Sequence, residues 1–314
     1  MTADPIDREA MAEVLAGLSL PQKTLSPKFL YDARGSELFE QITRLDTYYP
    51  TRTEMDILRD HGPAIGRAIG PDAVIVEFGS GNSEKFHLLL DVLKKPRAYV
   101  PIDISAEHMA AAAAGIDADY PGLTVVPVAG DYTKPMQLPD HPALAGARLV
   151  GFFPGSTIGN FPLEEAQAFL STARDILNGG GLLIGVDLQK PEDVLNLAYN
   201  DPEGVTAAFN LNMLTHLNRL VGADFDEQGF SHHAFFNREM ARIEMHLISR
   251  REQQVRIGGE TIYFAEGEAI HTESSHKYTL ESFAGLAEAA GWQTTETWCD
   301  RQQWFSLHLL SPRP

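Results

Sequence analysis

Short apolar runs alternate with amphipathic stretches through the middle of this chain. The runs are AVIVEF (73–78), AYVPID (98–103), LTVVPVAGD (123–131), RLVGFF (148–153) and GLLIGVDL (181–188). Between them, SEKFHLLLDVL, AEHMAAAAAGI and LEEAQAFLSTARDIL repeat apolar residues with the helical period. Continuous apolar strands joined by helices predict a parallel sheet covered on both faces, a doubly wound, Rossmann-like α/β fold. After the helix LESFAGLAEAA, the strands GWQTTETWC and WFSLHLL follow with no crossover helix between them. That pair is expected to close the sheet with an antiparallel edge.

Two regions break the alternation. The first twenty residues read as a helix ending before Pro21. A loop-rich stretch follows, LSPKFLYDARGSELFEQITRL and then DTYYPTRTEMDIL, in which SELFEQI opens as a helix with Ser36 as its cap. Residues 189–277 hold a long helical segment, PEDVLNLAYNDPEGVTAAFNLNMLTHLNRLV, and then the strand-like MARIEMHLISRREQQVRIGGETIYFA. They are expected to form an inserted α+β lobe, placed to cover strand ends where ligands of such sheets bind. The predicted organisation is a body of residues 1–188 with 278–314, including an N-terminal pocket segment, and a substrate-binding lobe of 189–277.

Charge narrows the partners. With 25 basic against 43 acidic residues the net charge is −18, and such a surface repels phosphate backbones and anionic lipid heads. Neither nucleic acid nor a membrane surface is an expected partner, and no feature demands a protein partner. Cys299 is the single cysteine, so an internal disulfide or a CxxC zinc site is excluded. The N-terminus, MTADPIDREAMAEV, lacks the basic-then-apolar profile of a signal peptide. No apolar run approaches the ~18 residues of a membrane span, so a cytoplasmic protein with a small-molecule substrate is expected.

The sharpest local motif is VIVEFGSGNSEK, a strand running through Gly79-Ser80-Gly81 into a helix. Glycines there allow a tight turn and close approach to a ligand. A dinucleotide fingerprint asks for a third glycine where Glu84 stands, and its carboxylate opposes a pyrophosphate. An S-adenosylmethionine site instead shows an acidic residue two before the first glycine, here Glu77. Asp103, at the end of the next strand, suits ribose hydroxyls; Asp131 suits the adenine amino group and Tyr132 its ring. Lys85 and His87, on the first turns of a helix, are by pattern solvated side chains. The loop PGSTIGNF centres on Thr157, so it is no nucleophile elbow. Its Asn160 either faces the reacting methyl group or caps the following helix. His232, His233, His271 and His276 show no ligand spacing, and structural roles without a metal are expected for them.

Longer strings carry a resemblance: FLYDARGSELFEQITRLDTYYPTRTE, VEFGSGNSEK, PIDISAEHM, GDY, FFPGSTIGN, AYNDPEGVTAAFN, RIEMHL and FAEGEAIHTESSHKY. From about Leu25 to the C-terminus the chain resembles the histidine Nα-methyltransferases of ergothioneine biosynthesis. That resemblance implies three successive methylations of L-histidine by S-adenosylmethionine, giving hercynine. It implies cofactor contacts at Gly79, Lys85 and Asp103, with Asp131 and Tyr132 at the adenine; Glu77 and Gly81 join them from the strand-end pattern. It implies that Tyr48 and Asn160 serve catalysis, Asn160 with Tyr199 holding the substrate carboxylate. Glu273 and Ser275 then hold the imidazole, Ser274 contributes backbone, and Tyr31, Phe39 and Thr157 line the pocket.

By pattern alone Tyr48 and Tyr199 would bury rings with hydrogen-bonded tips, and Glu273 would be a solvated strand-end charge. A related N-methyltransferase acting on another amino acid or an indole amine is the nearest alternative. Glu273 discriminates against it, because a carboxylate suits an imidazole N–H. A non-catalytic binding protein on the same fold is opposed by the complete set of cofactor residues.

Overall fold

A computed structural model describes residues 6–79, 83–104, 115–116 and 118–313. The chain opens with α1 (Arg8–Leu18), β1 (Lys23–Thr24), α2 (Ala33–Thr43) and α3 (Tyr49–Ile69). It continues through β2 (Val74–Phe78), α4 (Ser83–Leu90), β3 (Ala98–Asp103), β4 (Thr124–Val125) and β5 (Val128–Ala129). Next come β6 (Leu149–Phe153), α5 (Leu163–Leu177), β7 (Gly181–Asp187), α6 (Glu192–Tyr199) and α7 (Val205–Leu220). Five strands follow: β8 (Phe230–Asn237), β9 (Arg242–Ser249), β10 (Gln253–Ile257), β11 (Glu260–Phe264) and β12 (Ala269–His276). Helix α8 (Leu280–Ala289) and strands β13 (Trp292–Cys299) and β14 (Phe305–Pro312) complete it.

These elements divide into two compact units, Pro50–Gln189 with Lys277–Pro314, and Met1–Tyr49 with Lys190–His276. In the first, the strands lie in the order β13-β14-β7-β6-β2-β3-β4, with β5 also on β3. The run from β7 to β4 is parallel, and β14 and β13 add an antiparallel edge. Every residue of β2 and β7 is buried, which is why both read as apolar runs interrupted only by Glu77 and Asp187. One face packs Phe78, Phe153 and Phe169, and the other packs Ile75 and Phe152 with Ile57, Leu58 and Ile65 of α3. Because β3 and β6 flank β2 on opposite sides, the strand order reverses at β2, and its carboxyl end is the ligand position of such sheets.

Two local expectations for this unit are corrected. The run 123–131 is not one strand: Val126 donates its N–H to the Tyr99 carbonyl at 2.8 Å, and Pro127, without an N–H, splits the ladder into β4 and β5. The stretch DTYYPTRTEMDIL is not loop-rich either. It opens the 21-residue helix α3, with Pro50 in the first turn, where no backbone donor is needed.

The second unit contains a four-stranded sheet, β1-β12-β9-β8, and the hairpin β10-β11. β1 runs parallel to β12, pairing Lys23 with Ile270 and Thr24 with His271. Residues 1–49 therefore group with the 190–276 segment and not with the sheet body in which the sequence reading placed them. A hydrogen bond from Asn212 Nδ2 of α7 to Asp32 Oδ1 (2.7 Å) reinforces that grouping. Asp32, not Ser36, caps α2, accepting from the Gly35 N–H at 2.8 Å. The predicted long helix breaks after Tyr199, and Asp201 restarts it by accepting the Val205 and Thr206 N–H groups, each at 2.8 Å.

Candidate active site

In the sheet unit the site begins where β2 ends. Gly79 adopts φ +81°, and a Cβ there would meet the Tyr132 hydroxyl at 3.4 Å. Only glycine takes that turn without strain. Gly81 lies outside the described residues. Glu77, the expected acidic mark, is buried and accepts the Tyr99 hydroxyl. Burial pushes its carboxyl up to about 8, against the Tyr99 bond and the Lys85 charge, so it is mostly protonated at neutral pH.

Asp103 closes β3, and Asp131 follows β5. The Asp131 Oδ1 accepts from the Thr133 N–H (3.0 Å) and hydroxyl (2.5 Å), while Oδ2 pairs with Lys134 at 2.9 Å. Burial alone would raise its pKa; those bonds outweigh it and hold the carboxyl below the usual range. Tyr132 is half-buried and packs its ring against the core, 6.0 Å from Phe78 and Phe153 and 5.9 Å from Phe169. Burial first, then the Asp103 and Asp131 charges, push its hydroxyl up to about 12.

Lys85 is not solvated, as its pattern suggested. It is buried, and its Nζ lies 2.5 Å from Glu54 Oε2 of α3. Sequence reasoning passed over Glu54, although it ends the string TYYPTRTE; only an early assignment of α3 would have turned it inward. His87 is a surface residue whose Nε2 meets Asp119 at 2.8 Å.

After β6, Gly155 and Ser156 take the left-handed φ values +80° and +55°. The Asp187 N–H donates to Ser156 Oγ at 2.9 Å, and Thr157 Oγ1 donates to the Pro154 carbonyl at 3.1 Å. Asn160 ends the 3₁₀ turn Thr157–Asn160; α5 begins behind Pro162, so Asn160 is not its cap.

In the other unit the predicted residues form a connected series. Tyr31 meets Phe39 edge-on at 5.7 Å, Phe39 meets Tyr48 at 6.5 Å, and Tyr48 meets Tyr199 at 6.1 Å. The Tyr199 hydroxyl donates to Ser275 Oγ at 3.1 Å. On β12 the register slips between His271 and Glu273, leaving Thr272 as the extra residue of a bulge. Glu273 pairs with Met245 and Ser275 with Ile243, so both buried side chains share one face of the sheet.

Strand alternation turns Ser274 to the opposite face, and the bulge brings His271 to that same face, where the Ser274 hydroxyl lies 3.0 Å from His271 Nε2. That face also holds Glu244 and His246; among the described residues these two with His271 are the one group at metal-ligand spacing, within 4.8 Å. Its atoms are hydrogen-bonded: Glu244 accepts from Arg242, Asn237 and His246. His232 bonds the Tyr199 carbonyl and Asn210 at 2.8 and 3.0 Å.

This sheet order and this glycine turn at a strand end define a Rossmann-like methyltransferase fold. The solved structure of LaPhzM shares it, with a TM-score of 0.50 at 14% identity, over 97% of this chain and 69% of that one. The chain belongs to the histidine-specific, S-adenosylmethionine-dependent methyltransferase family, whose model matches residues 10–312. The histidine N-alpha-methyltransferase of Mycolicibacterium smegmatis is 43% identical over 98% of this chain and 97% of its own length. That of Mycobacterium tuberculosis is 41% identical over 95% and 94%. Ergothioneine biosynthesis protein 1 of Neurospora crassa is 30% identical over 92% of this chain, which corresponds to 33% of the fungal protein. No helix among the described residues is long and apolar enough to cross a membrane.

Proposed function

We propose that this chain transfers three methyl groups in succession from S-adenosylmethionine to the α-amino nitrogen of L-histidine, giving hercynine for ergothioneine biosynthesis in the cytoplasm. It acts on this small molecule without nucleic acid, membrane or an obligate protein partner. The observation that carries the reading is the buried pair Glu273 and Ser275 on one strand face, with the Tyr199 hydroxyl on Ser275 at 3.1 Å. A buried carboxylate beside a hydroxyl suits an imidazole, whose N–H makes a charge-assisted bond.

The strand-end residues fit the cofactor. The turn at Gly79 is closed to a side chain, Asp103 takes the ribose hydroxyls, Asp131 and Tyr132 the adenine, and Lys85 the carboxylate. Glu77, buried behind the turn, supports it. When bound, S-adenosylmethionine supplies a methyl carbon activated by its sulfonium. Asn160 and Tyr199 hold the histidine carboxylate while Glu273 and Ser275 hold the ring. Fixing both ends aims the α-nitrogen, and positioning supplies most of the catalysis in a direct displacement. The Tyr48 and Phe39 faces favour the nitrogen as it becomes a fixed cation. Tyr31 and Thr157 complete the lining.

The test is incubation with S-adenosylmethionine and a pool of amino acids, read by tandem mass spectrometry. Histidine is expected to gain three methyl groups, all on the α-nitrogen. Methylation of the ring, or of another amino acid in preference, overturns the reading.

A further inference from the structure

Glu54 of α3 is wholly buried, and three other parts of the sheet unit converge on its carboxylate. Oε2 pairs with Lys85 Nζ of α4 at 2.5 Å. The Gly155 N–H, in the loop after β6, donates to Oε1 and Oε2 at 3.0 and 2.9 Å. Gly185 of β7 leaves the space, since a Cβ there would stand 2.1 Å from Oε1. Gly155 itself takes φ +80°, a conformation that favours glycine.

For stability alone, apolar side chains of similar volume fill such a space as well as a buried ion pair does. The ionic arrangement adds direction: it fixes where the Lys85 ammonium stands and how the Gly155 amide is turned. We infer that Glu54 is a positioning residue that locks Lys85 to the loop Pro154–Asn160, so that the cofactor-side lysine and the loop bearing Thr157 and Asn160 are set as one piece. The inference rests on the proposed reading, in which Lys85 contacts the cofactor and Thr157 and Asn160 serve the substrate.

Glu54→Gln keeps an acceptor for the Gly155 N–H but removes the charge facing Lys85. Calorimetry is expected to show the S-adenosylmethionine Kd rising about tenfold, the scale of one charged hydrogen bond. At saturating S-adenosylmethionine the histidine KM is expected to rise as well, because the loop loses its anchor. A purely structural Glu54 would lower Tm and leave both constants unchanged, which overturns the inference.

Lys85→Met tests the underlying reading separately. If it leaves S-adenosylmethionine affinity unchanged, the cofactor role of Lys85 falls, while the histidine KM of Glu54→Gln still decides the loop arm. Adding Glu54→Gln to Lys85→Met is expected to cost little further cofactor affinity, and fully additive losses refute the coupling. Should Glu54→Gln not fold, Gly185→Ala displaces the same carboxylate without changing a charge. It is expected to move the same two constants, and unchanged constants in that folded variant count against the inference.

Discussion

The Tyr199 hydroxyl donates to Ser275 Oγ across 3.1 Å, and both side chains are buried. The bond ties the last residue of α6 to β12, the strand that carries Glu273. Tyr199→Phe removes the donor and keeps the ring against Tyr48. Histidine KM is expected to rise by roughly two- to tenfold, the equivalent of ~0.5–1.5 kcal/mol for one neutral hydrogen bond. S-adenosylmethionine Kd is expected to stay unchanged, because Tyr199 stands in the unit without the proposed cofactor residues. Steady-state kinetics with calorimetry checks both halves.

Glu273 is the residue on which substrate identity depends. Glu273→Gln keeps shape and an acceptor, whereas Glu273→Ala loses both. Histidine kcat/KM is expected to fall in the order wild type, Gln, Ala, mainly through KM, since the imidazole is remote from the reacting nitrogen. The alanine variant should also discriminate less against phenylalanine and tryptophan, whose rings offer no matching partner for a buried charge. Wild-type kcat/KM in Glu273→Ala would falsify the assignment.

Asp103 ends β3 beside the Gly79 turn, where the Gly79 N–H donates to the Ile102 carbonyl at 2.9 Å. Asp103→Ala is expected to weaken S-adenosylmethionine binding by roughly 1.5–3 kcal/mol, the range for a hydrogen bond to a charged group. Calorimetry on the folded variant measures this directly; an unaltered Kd removes Asp103 from the cofactor site.

Stability without ligand is expected to fall at both pH extremes. The Glu77 carboxyl is raised by burial from 4.5 to about 8, so its contribution is complete below pH 4.5 and disappears as pH rises through 8. His271 and His308 are lowered from 6.5 to about 4, by burial in both and by the His246 charge in the first. Their contribution is present above pH 6.5 and lost as pH falls through 4. Urea unfolding of Glu77→Gln across pH 5–9 should flatten only the alkaline limb, by on the order of a few kcal/mol. An alkaline limb as steep as in the wild type excludes Glu77 as its source.

The sequence by itself determined the parallel sheet, its antiparallel closing pair, and the strand-end positions of Gly79, Asp103 and Asp131. All three follow from local periodicity, because a strand buried on both faces announces where it stops. The common face of Glu273 and Ser275 was legible for the same reason, since residues two apart in a strand point alike.

Tertiary structure alone decided which elements bury one another. β1 is two residues long and carries no pattern, yet it pairs in parallel with β12, and residues 1–49 fall in the other compact unit. Lys85 lies on a first helical turn that any surface helix would share; Glu54, on a helix the sequence did not disclose, turns it inward. His271 shares a face with Ser274, three residues on, because of the bulge at Thr272, which is fixed by the register against β9. Periodicity reports that a residue is buried or faces a side, whereas its partner is set by contacts between distant segments, which no local pattern contains.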